Sequence, residues 1–561
     1  MQTDTGMWAY IGGRLLDGAR LYVDLWESKP PGIYYVFACV EWVFGRGGDR
    51  ALLWLDAVVS LAVFGLTYRV ARRFASRTAA AGAVMLLSVV FCHRILADWG
   101  DNVEKFVALF ELLACWYVLR AMDAGTPCGT GVSPVASQAE RLCGTLVARE
   151  GRAVPHWLAA GACCGLAGLF KQTGILFLVA AVLAVVGGGL RRREPAGSVG
   201  GRVGLLVGGV AIVWLPVLAW MWATGILAGF WEQAVCYDLV RVGPGGLERS
   251  RLLQPEHWSA VGFTLYLVLV LFGPAMVGTA YYVWRRAVGA SSASGDIANT
   301  DRMLAIVVLY WFLTTALFTV APHGFGHYLL QAAPAAAVLA AWFFDQTLRL
   351  RGERFWATAA MLTIVLGLSP HEDHLRFTFD RNYVYRAAYE PRRAYLAELV
   401  PIVQQHTSPE TTVMLWPRDH AFSYYAQRVT PLESSNADRL FKGQVHRLRP
   451  PMPELLRRLA ADPPDVIVDW TPLEARVDEL GRLELRLPAA GFSMHEGPDE
   501  SHAWEEGRQL APLKRWLRES YGGQERIGRC TFFYLGEPWR SWEEVLLGGG
   551  AKAAGNDVRP P

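Results

Sequence analysis

The chain lacks the features that mark disulfide-rich, zinc-binding or nucleic-acid-binding proteins. Its nine cysteines are scattered, eight of them before residue 240, with no C-x-x-C pair or zinc-type spacing. The formal net charge is only +3, whereas a nucleic-acid-binding domain concentrates Lys and Arg on one soluble surface. A Gly-rich phosphate loop, an internal repeat of fixed period and a secretory signal pattern in the first residues are also missing. Neither a nucleic-acid partner nor a soluble nucleotide-binding domain is therefore predicted.

Apolar sequence, by contrast, is abundant. Hydrophobic residues make up 52% of the chain, and residues 51–370 are apolar runs joined by short basic connectors. About 20 apolar residues are needed to cross the hydrocarbon core of a bilayer. The predicted spans are 51–71, 78–96, 104–122, 156–171, 174–190, 203–223, 258–284, 302–320, 327–348 and 355–370. The fold class predicted is an α-helical polytopic membrane bundle of about ten spans.

The flanking segments differ from this bundle in character. Residues 1–50 are predicted to form an external loop with interfacial helices, of which 31–45 is one, because it is apolar but too short to span. Residues 371–561 have ordinary charge and alternate helical and strand patterns. Strands are predicted at 411–416, 465–470 and 530–536, with a helix over 392–405. This segment is predicted to be a soluble extracytoplasmic α/β domain.

Orientation follows from the distribution of basic residues in the connectors. Alternate connectors carry 18 Lys and Arg residues on one side and six on the other. Because basic loops stay in the cytoplasm, the sparse loops and both flanking segments are predicted to face outside. An outside N-terminus without a signal sequence further predicts one more span ahead of Met1.

Polar residues crowd the predicted outer side. Charges near hydrocarbon are costly, so they need a partner, a cavity or a function. Asp98 and Asp101 share a face of a helical turn, although they could equally solvate a loop or cap the helix that begins near Glu104. Lys171 lies in a tight turn between apolar runs, where a lysine meets an anion or snorkels to the surface. His323 and His327 could bind zinc, but no third ligand is evident, so no metal is predicted.

The motifs, taken in order, resemble those of GT-C glycosyltransferases. The resemblance is to glycosyltransferase family 39, which includes protein mannosyltransferases and aminoarabinose lipid A transferases. It covers residues 1–370. The matching positions are Asp4, Gly18, Tyr22, Asp24, Trp26, Lys29, Pro30, Pro31, Phe44, Gly45, Asp98, Asp101, Lys171, His327, Tyr328 and Pro334. Two departures stand out, because no span precedes Asp4 and Thr5 follows it where relatives often have an acidic residue.

The resemblance implies transfer of a sugar from a polyprenyl-phosphate donor, by direct attack of the acceptor with inversion. It implies a GT-C type bundle in a bacterial-type inner or plasma membrane, with the active site on the extracytoplasmic side. A carboxylate base takes the acceptor proton and cations meet the leaving phosphate. The implied catalytic residues are Asp4, which acts as the base, Asp98 and Asp101. The implied donor-phosphate ligands are Lys29, Arg94, Lys171, His327 and Tyr328. The implied substrate contacts are Tyr22, Asp24, Trp26 and His323. No metal or other cofactor is implied, and the acceptor is a lipid, a protein or a polysaccharide.

Two other classes of function remain open on the sequence. A transporter or flippase for a lipid-linked glycan would place charges at mid-membrane and show repeated halves, neither of which is visible here. A non-catalytic cell-envelope scaffold would use the C-terminal segment to bind polymer. Sugar transfer by the purified protein would distinguish a glycosyltransferase from both of these alternatives.

Overall fold

The structure, a computed structural model, describes most of the bundle and parts of the C-terminal segment. The described residues are 3–25, 27–46, 49–92, 103–125, 138–236, 273–284, 304–310, 313–314, 328–351, 390–416, 420–430, 460–461, 463–469, 474–477, 483–486, 516, 519–527 and 530–536. Helices dominate the first 351 residues, and short strands appear only beyond residue 410 among these ranges.

Twelve helices are numbered here in chain order. They are α1 (Thr3–Leu16), α2 (Gly32–Phe44), α3 (Asp49–Ala71), α4 (Arg77–Cys92), α5 (Val103–Gly125), α6 (Gln138–Phe170), α7 (Leu176–Arg192), α8 (Ala196–Ala223), α9 (Leu227–Phe230), α10 (Leu329–Arg351), α11 (Glu390–His406) and α12 (His420–Ala426). A 3₁₀ turn, Gln172–Ile175, leads into α7, and a π turn, Trp231–Cys236, follows α9.

Among the described residues, four segments are long and apolar enough to cross a membrane, and they coincide with predicted spans. They are Ala51–Ala71, Ala153–Phe170, Gln172–Arg191 and Ala196–Ala223. Large apolar side chains such as Trp54, Leu61 and Leu215 remain exposed on them, as expected of surfaces that face lipid. Helices α4, α5 and α10 occupy three further predicted spans. The spans predicted at 258–284, 302–320 and 355–370 lie wholly or partly outside the described residues.

Helices α6 and α8 pack with their backbones in contact. Gly161 and Gly209 make this approach possible, because a Cβ at Gly161 would lie 2.0 Å from the carbonyl oxygen of Leu206. A Cβ at Gly209 would lie 2.2 Å from the carbonyl oxygen of Leu158. Membrane helices associate closely where small residues line the interface. The two glycines therefore allow the close packing of α6 and α8.

The helical pair α1 and α2 precedes the bundle. The Trp8 and Phe37 rings meet edge to face at 5.7 Å, inside an apolar cluster that the two helices share. At the far end of α2, Trp42, Val43 and Phe44 are exposed. A short helix with an apolar exposed end is compatible with the headgroup boundary of a bilayer, and the interfacial location of residues 31–45 stays a prediction.

The C-terminal segment contains the predicted strands and helix. The strands are β1 (Val413–Trp416), β2 (Val466–Asp469), β3 (Glu474–Val477), β4 (Leu483–Arg486), β5 (Tyr521–Ile527) and β6 (Cys530–Leu535). One sheet has the order β1-β2-β6-β5, in which β1 and β2 are parallel and β6 is antiparallel to both of its neighbours. Helices α11 and α12 cover it through Leu399, Val403 and Phe422. The predicted fold class, a helical membrane bundle with a C-terminal α/β part, is confirmed.

This α/β part is joined to the N-terminal helix. The Tyr10 hydroxyl donates to the Thr430 carbonyl at 3.3 Å and accepts from the Thr430 amide at 2.9 Å. Tyr424 of α12 is buried in the same apolar cluster as Trp8 and Phe37. The first helix of the chain is therefore fixed between the bundle and the C-terminal part.

Candidate active site

The candidate site centres on a break between α6 and α7. Lys171 follows α6 in an extended conformation, with φ −155° and ψ 143°, before the chain re-enters a helical turn. Gly174 permits this turn to close, because a Cβ there would lie 2.4 Å from the Ala167 carbonyl. The break places a lysine inside the protein, where its charge needs compensation.

A carboxylate and an aromatic ring provide that compensation. Lys171 Nζ lies 2.5 Å from Glu104 Oε1 and 3.6 Å from the centre of the Tyr328 ring. The side chains of Lys171 and Glu104 are only 10% and 2% exposed. A cation over an aromatic face is attracted by the ring quadrupole, and more strongly so when desolvated. Two predicted phosphate ligands, Lys171 and Tyr328, are thus brought together.

A second buried ion pair lies one residue along α5. Lys105 Nζ is 2.6 Å and 2.7 Å from the two carboxylate oxygens of Asp56 on α3. Because this lysine is held by both oxygens, its pair links α3 and α5 firmly. The start of α5 therefore carries two adjacent ion pairs that point to different partners.

The next residue of the break, Gln172, ties it to the N-terminal loop. Gln172 Nε2 donates to the carbonyl oxygens of Ser28 at 2.7 Å and Ala234 at 2.6 Å. Ser28 precedes Lys29, another predicted phosphate ligand. Lys29 Nζ in turn lies 5.1 Å from the centre of the Trp8 ring on α1. One short polar path therefore connects the Lys171 break, Lys29 and α1.

The loop that carries Lys29 is rigidly built. Tyr22 adopts a positive φ of 65°, and its hydroxyl donates to the Lys29 carbonyl at 2.7 Å. Gln233 braces the loop by donating to the Tyr22 carbonyl and accepting from the Glu27 amide. Gly229 allows this contact, because a Cβ there would lie 2.3 Å from the Tyr22 carbonyl oxygen. Tyr22, predicted as a substrate contact, is buried and shapes the loop.

Asp24 lies on the exposed side of the same loop. Its carboxylate accepts from the Arg20 side chain at 3.2 Å and from the Arg20 amide at 2.7 Å. The Arg20 guanidinium holds the pKa of the Asp24 carboxyl below its ordinary value. The described contacts of Asp24 stabilise the turn, and its predicted role in substrate binding stays a prediction.

Of the other predicted site residues, the structure describes only the backbone position of Asp4. Asp4 lies in the first turn of α1, one helical turn before Trp8. The predictions for Trp26, Arg94, Asp98, Asp101, His323 and His327 lie outside the described residues. Within the described part of the chain, no three His, Cys, Asp or Glu residues cluster in a way that could hold a metal ion.

The comparisons with known proteins match this part of the chain. Residues 28–132 match a family model described as dolichyl-phosphate-mannose-protein mannosyltransferase. A dolichol phosphate-mannose mannosyltransferase of Haloferax volcanii is 31% identical over 116 residues, which are 20% of this chain. The match spans a quarter of that relative's length. The predicted resemblance to GT-C glycosyltransferases is confirmed.

Two solved structures also match the chain. ArnT from Cupriavidus metallidurans, bound to undecaprenyl phosphate, is 17% identical with a TM-score of 0.48, over 87% of this chain and 94% of that one. An oligosaccharyltransferase from Archaeoglobus fulgidus is 14% identical with a TM-score of 0.46, over 86% of this chain and 70% of that one.

The segment matched by the family model holds part of the site. It contains Lys29 and Glu104. The adjacent Asp56–Lys105 pair also lies in this segment but takes no part in the site. Lys171 and Tyr328 lie beyond it and join the site through the fold. The site is therefore assembled from the matched segment and two later positions.

A second buried polar group, which the sequence did not predict, supports the break from inside the bundle. Gln331 Nε2 donates to Glu111 Oε1 and to the Thr173 carbonyl, both at 3.0 Å. The Thr173 hydroxyl donates back to Gln331 Oε1 at 2.8 Å, and the Tyr310 hydroxyl donates to the other Glu111 oxygen. These four residues come from helices far apart in sequence, so no local pattern reveals them. Their hydrogen bonds fix the residues after Lys171 to α10.

A buried carboxyl group, that of Glu41 on α2, also lies against Gly13 of α1. Glu41 is 3% exposed and approaches Gly13, where a Cβ would lie 2.9 Å from Glu41 Oε2. Neither carboxyl oxygen has a hydrogen-bond partner among the described residues. Burial raises the pKa of Glu41 from 4.5 to about 7, opposed by the nearby charge of Arg46. The folded protein therefore binds a proton at Glu41 more tightly than the unfolded chain does.

This shift predicts a stability that depends on pH. The contribution is fully present below pH 4.5 and is lost as the pH rises through about 7. Glu41→Gln keeps the shape without the charge, so we expect it to stabilise the protein by about 3 kcal/mol at pH 8 and little at pH 4. Thermal unfolding of the detergent-solubilised protein at both values tests this. The exposed Glu398→Gln on α11 is the control and should keep the wild-type pH dependence; a Glu41→Gln variant that does the same contradicts the assignment.

Proposed function

We propose that the protein is a membrane glycosyltransferase that moves a sugar from a polyprenyl-phosphate donor to an acceptor on the extracytoplasmic side. The observation that carries this proposal is the buried cation Lys171, held in a helix break and connected to Lys29. Apolar surroundings next to a pair of lysines suit a lipid phosphate, because the lipid needs hydrocarbon and the phosphate needs positive charge. The matched family model and the Haloferax relative are both named for lipid-phosphate-mannose donors, which supports the same donor class.

The reaction is a single displacement at the anomeric carbon. An acceptor hydroxyl or amine attacks that carbon while the bond from carbon to the phosphate oxygen breaks, and the electron pair leaves with the phosphate. Configuration at the sugar inverts because attack and departure occur on opposite faces. Lys29 and Lys171 stabilise the charge that develops on the phosphate, and Arg94, His327 and Tyr328 are proposed to assist them.

Asp4 is proposed as the base that takes the acceptor proton, with Asp98 and Asp101 as further catalytic carboxylates. Its place in α1 supports the assignment. Asp4 lies in the first turn of the helix that carries Trp8, and the centre of the Trp8 ring is 5.1 Å from Lys29 Nζ. A base near the phosphate cations is what a displacement at the adjacent anomeric carbon requires. Asp24, Trp26 and His323 are proposed to contact the substrate.

The acceptor and the compartment belong to the same proposal. The C-terminal α/β part contacts α1 through Thr430 and Tyr424, so it stands beside the proposed base. We propose that it lies outside a bacterial-type inner or plasma membrane and helps to select a lipid, protein or polysaccharide acceptor.

Sugar transfer by the purified full-length chain in lipid nanodiscs tests the proposal. The donors are synthetic polyprenyl-phosphate sugars, mannose first, with membrane extract as the acceptor source. Release of polyprenyl phosphate together with a new glycoconjugate supports the proposal. Movement of the intact donor across a bilayer without bond cleavage would instead establish the flippase alternative. Donor binding with neither outcome would favour a non-catalytic scaffold.

A further inference from the structure

The Lys171–Glu104 pair has a property that a simple phosphate site does not need. A lysine meant only to attract phosphate would be most effective without a carboxylate beside it. Here Glu104 lies 2.5 Å from Lys171 Nζ and is 2% exposed. Because both groups are buried, water screens neither charge from the other. The pair therefore presents close to zero net charge to anything that approaches it.

Glu104 forms an ion pair with Lys171, and the next residue along the helix has a different partner. The adjacent Lys105 points instead to Asp56 on α3 and binds both of its oxygens. Tyr328 covers Lys171 at 3.6 Å on another side. Glu104 is thus placed to lower the field of this one lysine.

The charge on the phosphate changes during the proposed reaction. The donor is a phosphodiester with one negative charge, and the released lipid carrier is a phosphomonoester with about −1.5 to −2 at pH 7. A lysine without a counter-charge would bind the more highly charged product most tightly and slow its release. A carboxylate within a few ångströms of that lysine repels every negative charge on the phosphate, so it disfavours the more highly charged product more than the donor.

We infer that Glu104 limits the affinity of Lys171 for phosphate, so that the lipid carrier leaves after the sugar has been transferred. This inference rests on the proposed function, in which Lys171 meets the donor phosphate. Glu104 acts through Lys171 and is a positioning and charge-balancing residue that does not touch the sugar. Its effect is expected on product release and not on the displacement itself.

The test measures binding of farnesyl phosphate, a short monoester, and of farnesol to the full-length protein in nanodiscs. Glu104→Gln removes the charge and keeps the shape, so we expect farnesyl phosphate to bind roughly tenfold more tightly. Farnesol carries no phosphate and should bind as it does to the wild type. In turnover assays the same variant should show a lower KM and a lower kcat, with the single-turnover transfer rate retained.

The neighbouring pair supplies a matched control. Asp56→Asn removes a partly buried carboxylate from Lys105 and should leave farnesyl phosphate affinity unchanged. If Glu104→Gln does not fold, Glu104→Asp weakens the pair with less disturbance and should shift affinity in the same direction by less. Unchanged or weaker phosphate binding by a folded Glu104 variant overturns the inference.

A double variant separates this result from failure of the proposed function. Glu104→Gln combined with Lys171→Gln removes both members of the ion pair, and it should bind farnesyl phosphate more weakly than the Glu104→Gln single variant. If the two bind it equally, Lys171 does not meet phosphate and the donor site itself is wrongly placed. If the double variant binds more weakly while Glu104→Gln matches the wild type, the donor site stands and only the role of Glu104 is overturned.

Discussion

Asp4→Asn is expected to reduce sugar transfer by about 10²–10⁴-fold while leaving donor affinity near the wild-type value. The amide keeps the size of the carboxylate but cannot accept the proton that the acceptor loses. Donor affinity depends on the lysines near the phosphate, which the substitution does not alter. Initial rates of transfer from a polyprenyl-phosphate sugar, measured beside binding of the same donor, separate the two effects.

The control for this experiment is Asp123→Asn, near the C-terminal end of α5 and away from Glu104. Asp123 pairs with Arg73 on the protein surface and takes no part in the proposed site. It should transfer sugar at the wild-type rate, since exposed ion pairs contribute little. Near-normal transfer by Asp4→Asn would exclude this residue as the base and leave the family resemblance intact.

Gly209→Ala is expected to destabilise the folded protein strongly. The added methyl would lie 2.2 Å from the Leu158 carbonyl oxygen and 2.6 Å from the Ala162 amide nitrogen. Backbone atoms cannot move aside as a side chain can, so α6 and α8 must separate. We expect a loss of roughly 3 kcal/mol or more, above the usual range for overpacking, because the lost contact runs along two helices.

Gly204→Ala, five residues earlier on the same helix, provides the comparison. No atom lies within 4 Å of a Cβ at this position. Alanine is the better helix former by about 1 kcal/mol, so this variant should be as stable as the wild type or slightly more so. Thermal unfolding of both variants in one detergent tests the difference. Equal melting temperatures would contradict the close contact between the backbones of α6 and α8 at Gly209.

Much of the architecture could be predicted because its signals are local. Apolar runs of fixed length predicted the four described segments that are long and apolar enough to cross a membrane, and short alternating runs predicted β1, β2 and β6. The break at Lys171 was visible as a polar interruption between two such runs. Boundaries were less accurate, since α6 begins at Gln138 although its predicted span begins at 156, after Pro155.

The partners of the site residues could not be predicted in the same way. Glu104 lies 67 positions before Lys171. Their pairing depends on which face of α5 is turned toward the helix break, and that is set by tertiary packing. Glu111, Gln331 and Tyr310 were hidden in apolar helices where an isolated polar residue gives no direction. Tyr22 and Asp24 belong to one motif, but only the fold shows that one is buried and the other exposed.

The hydrogen bond between Tyr10 and Thr430 joins positions 420 apart, which has a consequence for how the protein matures. The ribosome completes α1 long before it has made Thr430. We expect that α1 reaches its final position only after the residues around Thr430 have been translated and, in the proposed orientation, moved across the bilayer. A truncated chain would then contain the bundle with the proposed base out of place, so that the proposed glycosyl transfer would begin only after synthesis ends.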